Sequence, residues 1–114
     1  GAGASLTLAL EMDVVDDLPL DYSYFLHVIP TEGEQPVAQS DQALGQFGLP
    51  AGAWRIGDTW FEQATVTIPE GLERGEYDVW LGVYYYADGS RLPVRLDEEL
   101  QPDNRVRIGQ IIIQ

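Results

Sequence analysis

Glu76-Tyr77-Asp78-Val79-Trp80-Leu81-Gly82-Val83-Tyr84-Tyr85-Tyr86 is the stretch whose reading decides the fold class. Tyr77, Val79, Leu81, Val83 and Tyr85 recur at every second position. That is the period of a β-strand, whose successive side chains point to opposite faces, and it is not the period of a helix. The odd-numbered set is the core face. Glu76, Asp78, Trp80, Gly82, Tyr84 and Tyr86 form the other face, where rings and carboxylates mix.

The same period recurs on both sides of this strand. Asp88-Gly89 follows it as a hairpin signal, because both residues tolerate the positive φ of a two-residue primed turn, and residues 91–96 read as the return strand. Upstream, Ala64, Val66 and Ile68 alternate with Gln63, Thr65 and Thr67 until Pro69-Glu70-Gly71 stops the pattern. Leu6, Leu8, Leu10, Met12 and Val14 alternate with Thr7, Ala9, Glu11 and Asp13 in a half-buried strand. Residues 22–29 are apolar or aromatic at nearly every position, as in a central strand covered on both faces. Residues 36–40 read as a short strand opened by Pro36, which suits an edge or first position. Residues 105–113 make the last strand, with an alternation that slips at Gly109-Gln110 as a bulge would cause.

No segment carries a sustained helical period. About seven strands separated by Gly and Pro turns predict an all-β fold, a single antiparallel β-sandwich of immunoglobulin-like size. Its core is expected from Leu6, Leu8, Leu10, Phe25, Val66, Ile68, Tyr77, Val79, Leu81, Val83 and Ile108. The longest irregular stretch is residues 41–58, with Gly45, Gly48, Pro50, Gly52 and Gly57. Long loops are more often functional than short ones.

The 114 residues make one domain, since two cores would each be too small to offset the entropy of folding. The start Gly1-Ala2-Gly3 suggests a domain excised from a longer protein. The formal net charge is −13, and the cations are six arginines with no lysine, dispersed among nineteen carboxylates. Phosphate backbones and anionic lipid need clustered cations, so nucleic acid and direct membrane insertion are not expected. No apolar run reaches the roughly 18–20 residues of a bilayer-spanning helix. The absence of cysteine removes disulfides, thiolate metal sites and thiol nucleophiles, and leaves the compartment open on redox grounds.

Catalysis finds little to work with. The single histidine, His27, sits in the middle of an apolar strand, where a buried ring bonded to a carboxylate or carbonyl is the ordinary arrangement. There is no strand-to-helix nucleophile turn and no glycine-rich loop opening a helix. The chain is expected not to be an enzyme and to need no cofactor, and His27 with Asp41 is expected to form a structural polar pair. Calcium is the one possible ion, because carboxylates cluster at Asp13, Asp16, Asp17 and Asp21 and again at Asp97, Glu98, Glu99 and Asp103. Neither group has an EF-hand spacing, and dense acidic loops are ordinarily just solvated.

The aromatic residues give the ligand-binding candidates. Trp80, Tyr84 and Tyr86 share the face opposite the core set, where rings can stack on sugars, anchor a protein partner or be covered by the domain's own loops. Trp54 and Trp60 bracket the turn at residues 55–59 and either cap the core or line a groove.

Read in order, Tyr24-Phe25-Leu26-His27-Val28, Gly33, Ala38-Gln39-Ser40-Asp41, Trp54, Gly57, Pro69, Gly75-Glu76-Tyr77, Gly82-Val83-Tyr84 and Arg91-Leu92-Pro93 resemble a β-sandwich module of bacterial extracytoplasmic regions. Such modules are appended to the C-terminus of membrane glycosyltransferases of the protein mannosyltransferase type. The chain departs from that pattern over residues 44–53 and in lacking lysine. The resemblance implies an extracytoplasmic accessory domain, part of a membrane-attached protein, that contacts a protein partner or the rest of its parent chain and brings no catalytic residues. The alternatives are a carbohydrate-binding module using Trp54, Trp80, Tyr84 and Tyr86, and a calcium-stabilised sandwich.

Overall fold

The computed structural model describes residues 4–16, 18, 20–45 and 51–114. Among these the protein is all-β and antiparallel, with strands β1 (Ser5–Asp13), β2 (Ser23–Pro30), β3 (Ala38–Ala43), β4 (Thr59–Thr67), β5 (Gly75–Tyr84), β6 (Arg95–Leu96), β7 (Glu99–Leu100) and β8 (Val106–Ile113). β1 pairs with β4 in one layer, and the other layer is a four-stranded sheet in the order β3-β2-β5-β8. A small hairpin joins β6 to β7.

The alternation in each strand decides which side chains meet between the layers. β1 and β4 send Leu10, Ala64 and Val66 inward, joined by Ile68 just past β4, while Ser5, Thr7, Gln63 and Thr65 face solvent. From the larger sheet come Tyr24, Leu26 and Val28 of β2, Tyr77, Val79 and Leu81 of β5, and Val106 of β8. These residues form one continuous cluster in which Leu26 and Val28 are wholly buried (0% exposed), with Val14, Tyr22, Leu44 and Trp54 closing its ends. Leu6, Leu8, Val83 and Ile108 pack half-buried against it.

Several local expectations are corrected. Phe25 is buried, yet it is not part of the inner cluster: in β2 it has the parity opposite to Tyr24 and Leu26, so it lies on the outer face of the four-stranded sheet. Residues 91–96 do not make a full return strand. Arg91 forms an isolated bridge with Tyr84, Leu92 donates to the Val83 carbonyl, and β6 then turns to pair with β7. The turn at Asp88-Gly89 is also longer than two residues. The Tyr85 carbonyl accepts from both Asp88 and Gly89, Tyr85 donates to the Ser90 carbonyl, and only Gly89 has positive φ, at 74°. The two-residue turn with positive φ at both positions falls instead at Asp97 (51°) and Glu98 (70°), between β6 and β7. That local geometry suits the right-handed twist of the flanking strands even without glycine.

The short strand expected at residues 36–40 starts two residues later, because Pro36 has no N–H to donate and pairing begins with Val37 N to the Val28 carbonyl. The irregularity in β8 lies opposite Val79 and Trp80, whose partners are Gly109 and Arg107, slightly ahead of the expected slip at Gly109-Gln110.

One polar side chain ties the layers together. Glu62 of β4 points inward with Ala64 and Val66, is buried, and accepts the backbone N–H of Gly45 just after β3. The nearby Tyr24 phenol is held above its ordinary value, first by burial and then by the Glu62 charge. A buried carboxylate is retained only when its hydrogen bonds are made, so this contact fixes the loop where β3 leaves its sheet.

Candidate functional site

The outer face of the four-stranded sheet is the one turned away from the core cluster shared with β1 and β4. Pair register sets what lies there: Phe25 sits opposite Gly82, His27 opposite Trp80, and Ser23 opposite Tyr84. On the flanking strands Asp41 sits opposite Phe25, and Arg107 opposite Trp80. Phe25, His27, Trp80 and Tyr84 therefore form an aromatic floor along the two central strands.

Gly82 is what lets the floor close. A Cβ there would lie 2.2 Å from Cε2 and Cζ of Phe25, so the Phe25 ring occupies the space that a side chain would need. Mid-strand glycine commonly marks such a close approach. The Phe25 ring packs on His27 with centroids 4.3 Å apart and lies 6.2 Å from Tyr84. Above the floor sit two guanidinium groups, Arg91 at 4.8 Å from the Phe25 centroid and Arg105 at 4.0 Å from the Trp80 centroid. Arg91 also donates to the Asp103 carbonyl at 3.1 Å. Arg107 is paired with Asp78 at 3.5 Å, and Asp78 in turn accepts from Thr31 at 3.1 Å. The strand face is thus neither bare nor sealed, because two guanidinium groups sit over its rings within cation–π distance.

His27 and Asp41 share this face, though the hydrogen bond to Asp41 comes from elsewhere: the Tyr84 hydroxyl donates to its Oδ2 at 2.6 Å. That bond, followed by burial and the Asp41 charge, pushes the Tyr84 phenol up to about 12. The His27 ring is half-buried rather than buried, and burial lowers its pKa; the Asp41 charge opposes this, while Arg91 and Arg105 add to it. His27 is therefore a neutral ring at neutral pH, packed at a tilt against Phe25.

The structure brings together Trp80 and Tyr84 from the expected ligand-binding set and separates the other two. Tyr86 is 72% exposed in the turn beyond β5. Trp54 lies in the core, stacked on Trp60 at 4.9 Å and an interplanar angle of 9°, so this pair caps the sandwich end. Among the described residues no three His, Asp or Glu side chains converge in a way that would hold a metal ion. Asp21 accepts the Gly52 N–H at 2.9 Å and Asp13 accepts the Thr59 hydroxyl at 2.7 Å, so both serve loop and strand ends. Asp16 is exposed, Asp97 and Glu98 form the β6-β7 turn, and Asp103 sits in a 3₁₀ turn at Pro102–Asn104. Asp17 lies outside the described residues.

Phe25, Arg91 and Arg105 were the members of this face that sequence reasoning missed. Phe25 looks like core because it is flanked by Tyr24 and Leu26, and the arginines are brought over the rings by the chain beyond β5. The available signal was Gly82, the one glycine interrupting the face of Trp80 and Tyr84. Comparison with protein-family models, with curated proteins and with solved structures found no match for the chain.

Proposed function

We propose that this protein is a non-catalytic interaction domain of a larger extracytoplasmic or membrane-attached protein, and that its contact surface is the outer face of the four-stranded sheet. The observation that carries the reading is the floor of Phe25, His27, Trp80 and Tyr84 with Arg91 and Arg105 laid over it. Aromatic and arginine side chains are the residue types that dominate binding energy at protein interfaces. Here the rings stand on two central strands held by the core, a rigid platform that loses little conformational freedom on binding. A binding role also suits His27, which is packed as a ring, and Asp41, whose Oδ2 is engaged by Tyr84.

The partner is a protein surface, either another subunit or the rest of the parent chain. Footprinting tests this with the parent protein and the isolated domain side by side. Hydroxyl-radical labelling of Trp80 and Tyr84 and phenylglyoxal labelling of Arg91 and Arg105 are expected to fall in the parent relative to the isolated domain. Equal labelling at all four residues would remove this face as the contact surface.

A carbohydrate-binding role is the second reading, favoured by the open ring of Tyr86 in the turn beyond β5. It is weakened at Trp80, where Arg105 occupies a ring face that a sugar would need. A glycan array screened with and without calcium separates the two, and a hit abolished by Tyr86→Ala would favour the sugar.

A further inference from the structure

We infer that β8 pairs with β8 of a second copy of this chain, antiparallel and centred on Ile112, joining two four-stranded sheets into one of eight strands. β8 is an edge of its sheet, so one side of it presents backbone N–H and C=O groups without a strand partner among the described residues. Open edges are the places where β-proteins pair with one another, and charged side chains are a common guard against this. The other edges in the two main sheets carry carboxylates: Glu11 and Asp13 on β1 and Asp41 on β3 are exposed, and Glu62 on β4 points inward. β8 carries none. Five of its eight residues are Val or Ile, and Ile112 is 64% exposed. In a chain with net charge −13, this is the edge at which two copies approach with least repulsion.

The sequence at this edge is also self-complementary. Gln110-Ile111-Ile112-Ile113-Gln114 reads the same in both directions. A two-fold axis at Ile112 sets Ile112 against Ile112, Ile111 against Ile113 and Gln110 against Gln114 of the two copies. An isologous interface requires such self-matching. The faces agree as well. Ile111 and Ile113 lie opposite Tyr77 and Gly75 on the core side, whereas Gln110 and Ile112 lie opposite Asp78 and Glu76 on the outer side. Every pair therefore joins side chains of the same sheet face, which a shift of one residue would destroy. The inference does not depend on the contact surface proposed above, because it uses the edge of the sheet and not the aromatic floor.

The interface is small, so sedimentation equilibrium should be run from about 10 μM to about 1 mM, the range in which a weak dimer dissociates. A monomer–dimer equilibrium is expected for the native chain. Ile112→Lys sets two like charges opposite each other at the axis and is expected to weaken association at least about tenfold while leaving the melting curve unchanged, Ile112 being exposed. The chain has no cysteine, so Ile112→Cys gives a direct geometric readout. Directly opposed Cβ atoms lie about 4.5–5.5 Å apart, and mild oxidation should link two copies faster than it links Gln63→Cys, a control on the exposed face of β4. A monomer at every concentration, an association unaffected by Ile112→Lys, or equal cross-linking of the two cysteine variants would each overturn the inference.

Discussion

Gly82→Ala tests whether the outer face is a packed floor or a loose surface. The added Cβ would lie 2.2 Å from two atoms of the Phe25 ring, against the 3.5–4.0 Å of an ordinary carbon contact, so the ring must move by well over about 1 Å. It has little room to do so, with His27 at 4.3 Å, Tyr84 at 6.2 Å and the Arg91 guanidinium at 4.8 Å, measured to the ring centroid. Forcing a methyl into a filled site costs about 1–3 kcal/mol, and rotating the ring out to water costs about 1.5–3 kcal/mol. The Gly-to-Ala change returns about 0.5–1 kcal/mol by restricting the unfolded chain, because Gly82 does not occupy the positive-φ region. The net expectation is a loss of about 1–2 kcal/mol, or roughly 5–15 °C in Tm for a domain of this size. Urea unfolding followed by tryptophan fluorescence measures it. The decisive comparison is a double-mutant cycle with Phe25→Val, which removes the ring that the methyl meets. In that background Gly82→Ala should cost close to nothing, a coupling of about 1 kcal/mol or more. A loss below about 0.5 kcal/mol for the single variant, or the same loss in both backgrounds, refutes the packed floor.

The remaining predictions concern the polar contacts. Tyr84 has a folded pKa raised above its ordinary 10.0, so its contribution to stability is fully present below pH 10 and disappears as pH rises through about 12. Phenolate absorbance should show a tyrosine titrating late, absent in Tyr84→Phe and moved back toward 10 in Asp41→Asn. His27 has a lowered pKa, so the unfolded chain binds its proton first and stability falls as pH drops below 6.5. His27→Gln should flatten this part of the pH–stability curve, and an identical slope in both proteins would contradict a half-buried neutral ring. Glu62→Ala should cost about 1–3 kcal/mol in chemical denaturation by leaving the Gly45 N–H without its acceptor, whereas Glu62→Gln should cost markedly less. The Trp54–Trp60 stack should produce an exciton couplet in circular dichroism that Trp54→Phe abolishes without unfolding the protein.

What was legible in the sequence is what period two encodes. The inward aliphatic residues of β1, β4 and β5 follow from their alternation, because on those strands one face is mainly apolar while the other interleaves polar residues. β2 resisted the same reading, since Tyr24, Phe25, Leu26, Val28 and Ile29 are all buried and no contrast tells the two faces apart. Its parity became readable only through its pairing with β5, and with it the position of Phe25. Turns failed for a related reason. The Asp-Gly pair was recognised by residue type, yet a longer loop also needs one positive φ and Gly89 supplies it, while the two-residue turn formed at Asp97-Glu98 without glycine.

The candidate site was half legible on the same grounds. Trp80 and Tyr84 share a strand, so their common face followed from spacing alone, and the structure keeps them together. Arg91 and Arg105 reach the rings by tertiary packing, from a bridge after the turn and from the residue just before β8, and nothing local in the sequence marks them. Their placement changes how the acidity of the chain is to be understood. Net charge describes long-range behaviour, which salt screens over roughly 8–10 Å, whereas recognition is decided within a few ångströms. At that range the outer face presents guanidinium groups over rings, and the β8 edge presents aliphatic side chains with no carboxylate. A domain of charge −13 thus carries two surfaces that its overall charge does not describe. Raising ionic strength should separate them. Association through Ile112 should be unchanged or strengthened, since general repulsion between copies is screened, while any contact made through Arg91 and Arg105 to an anionic partner should weaken.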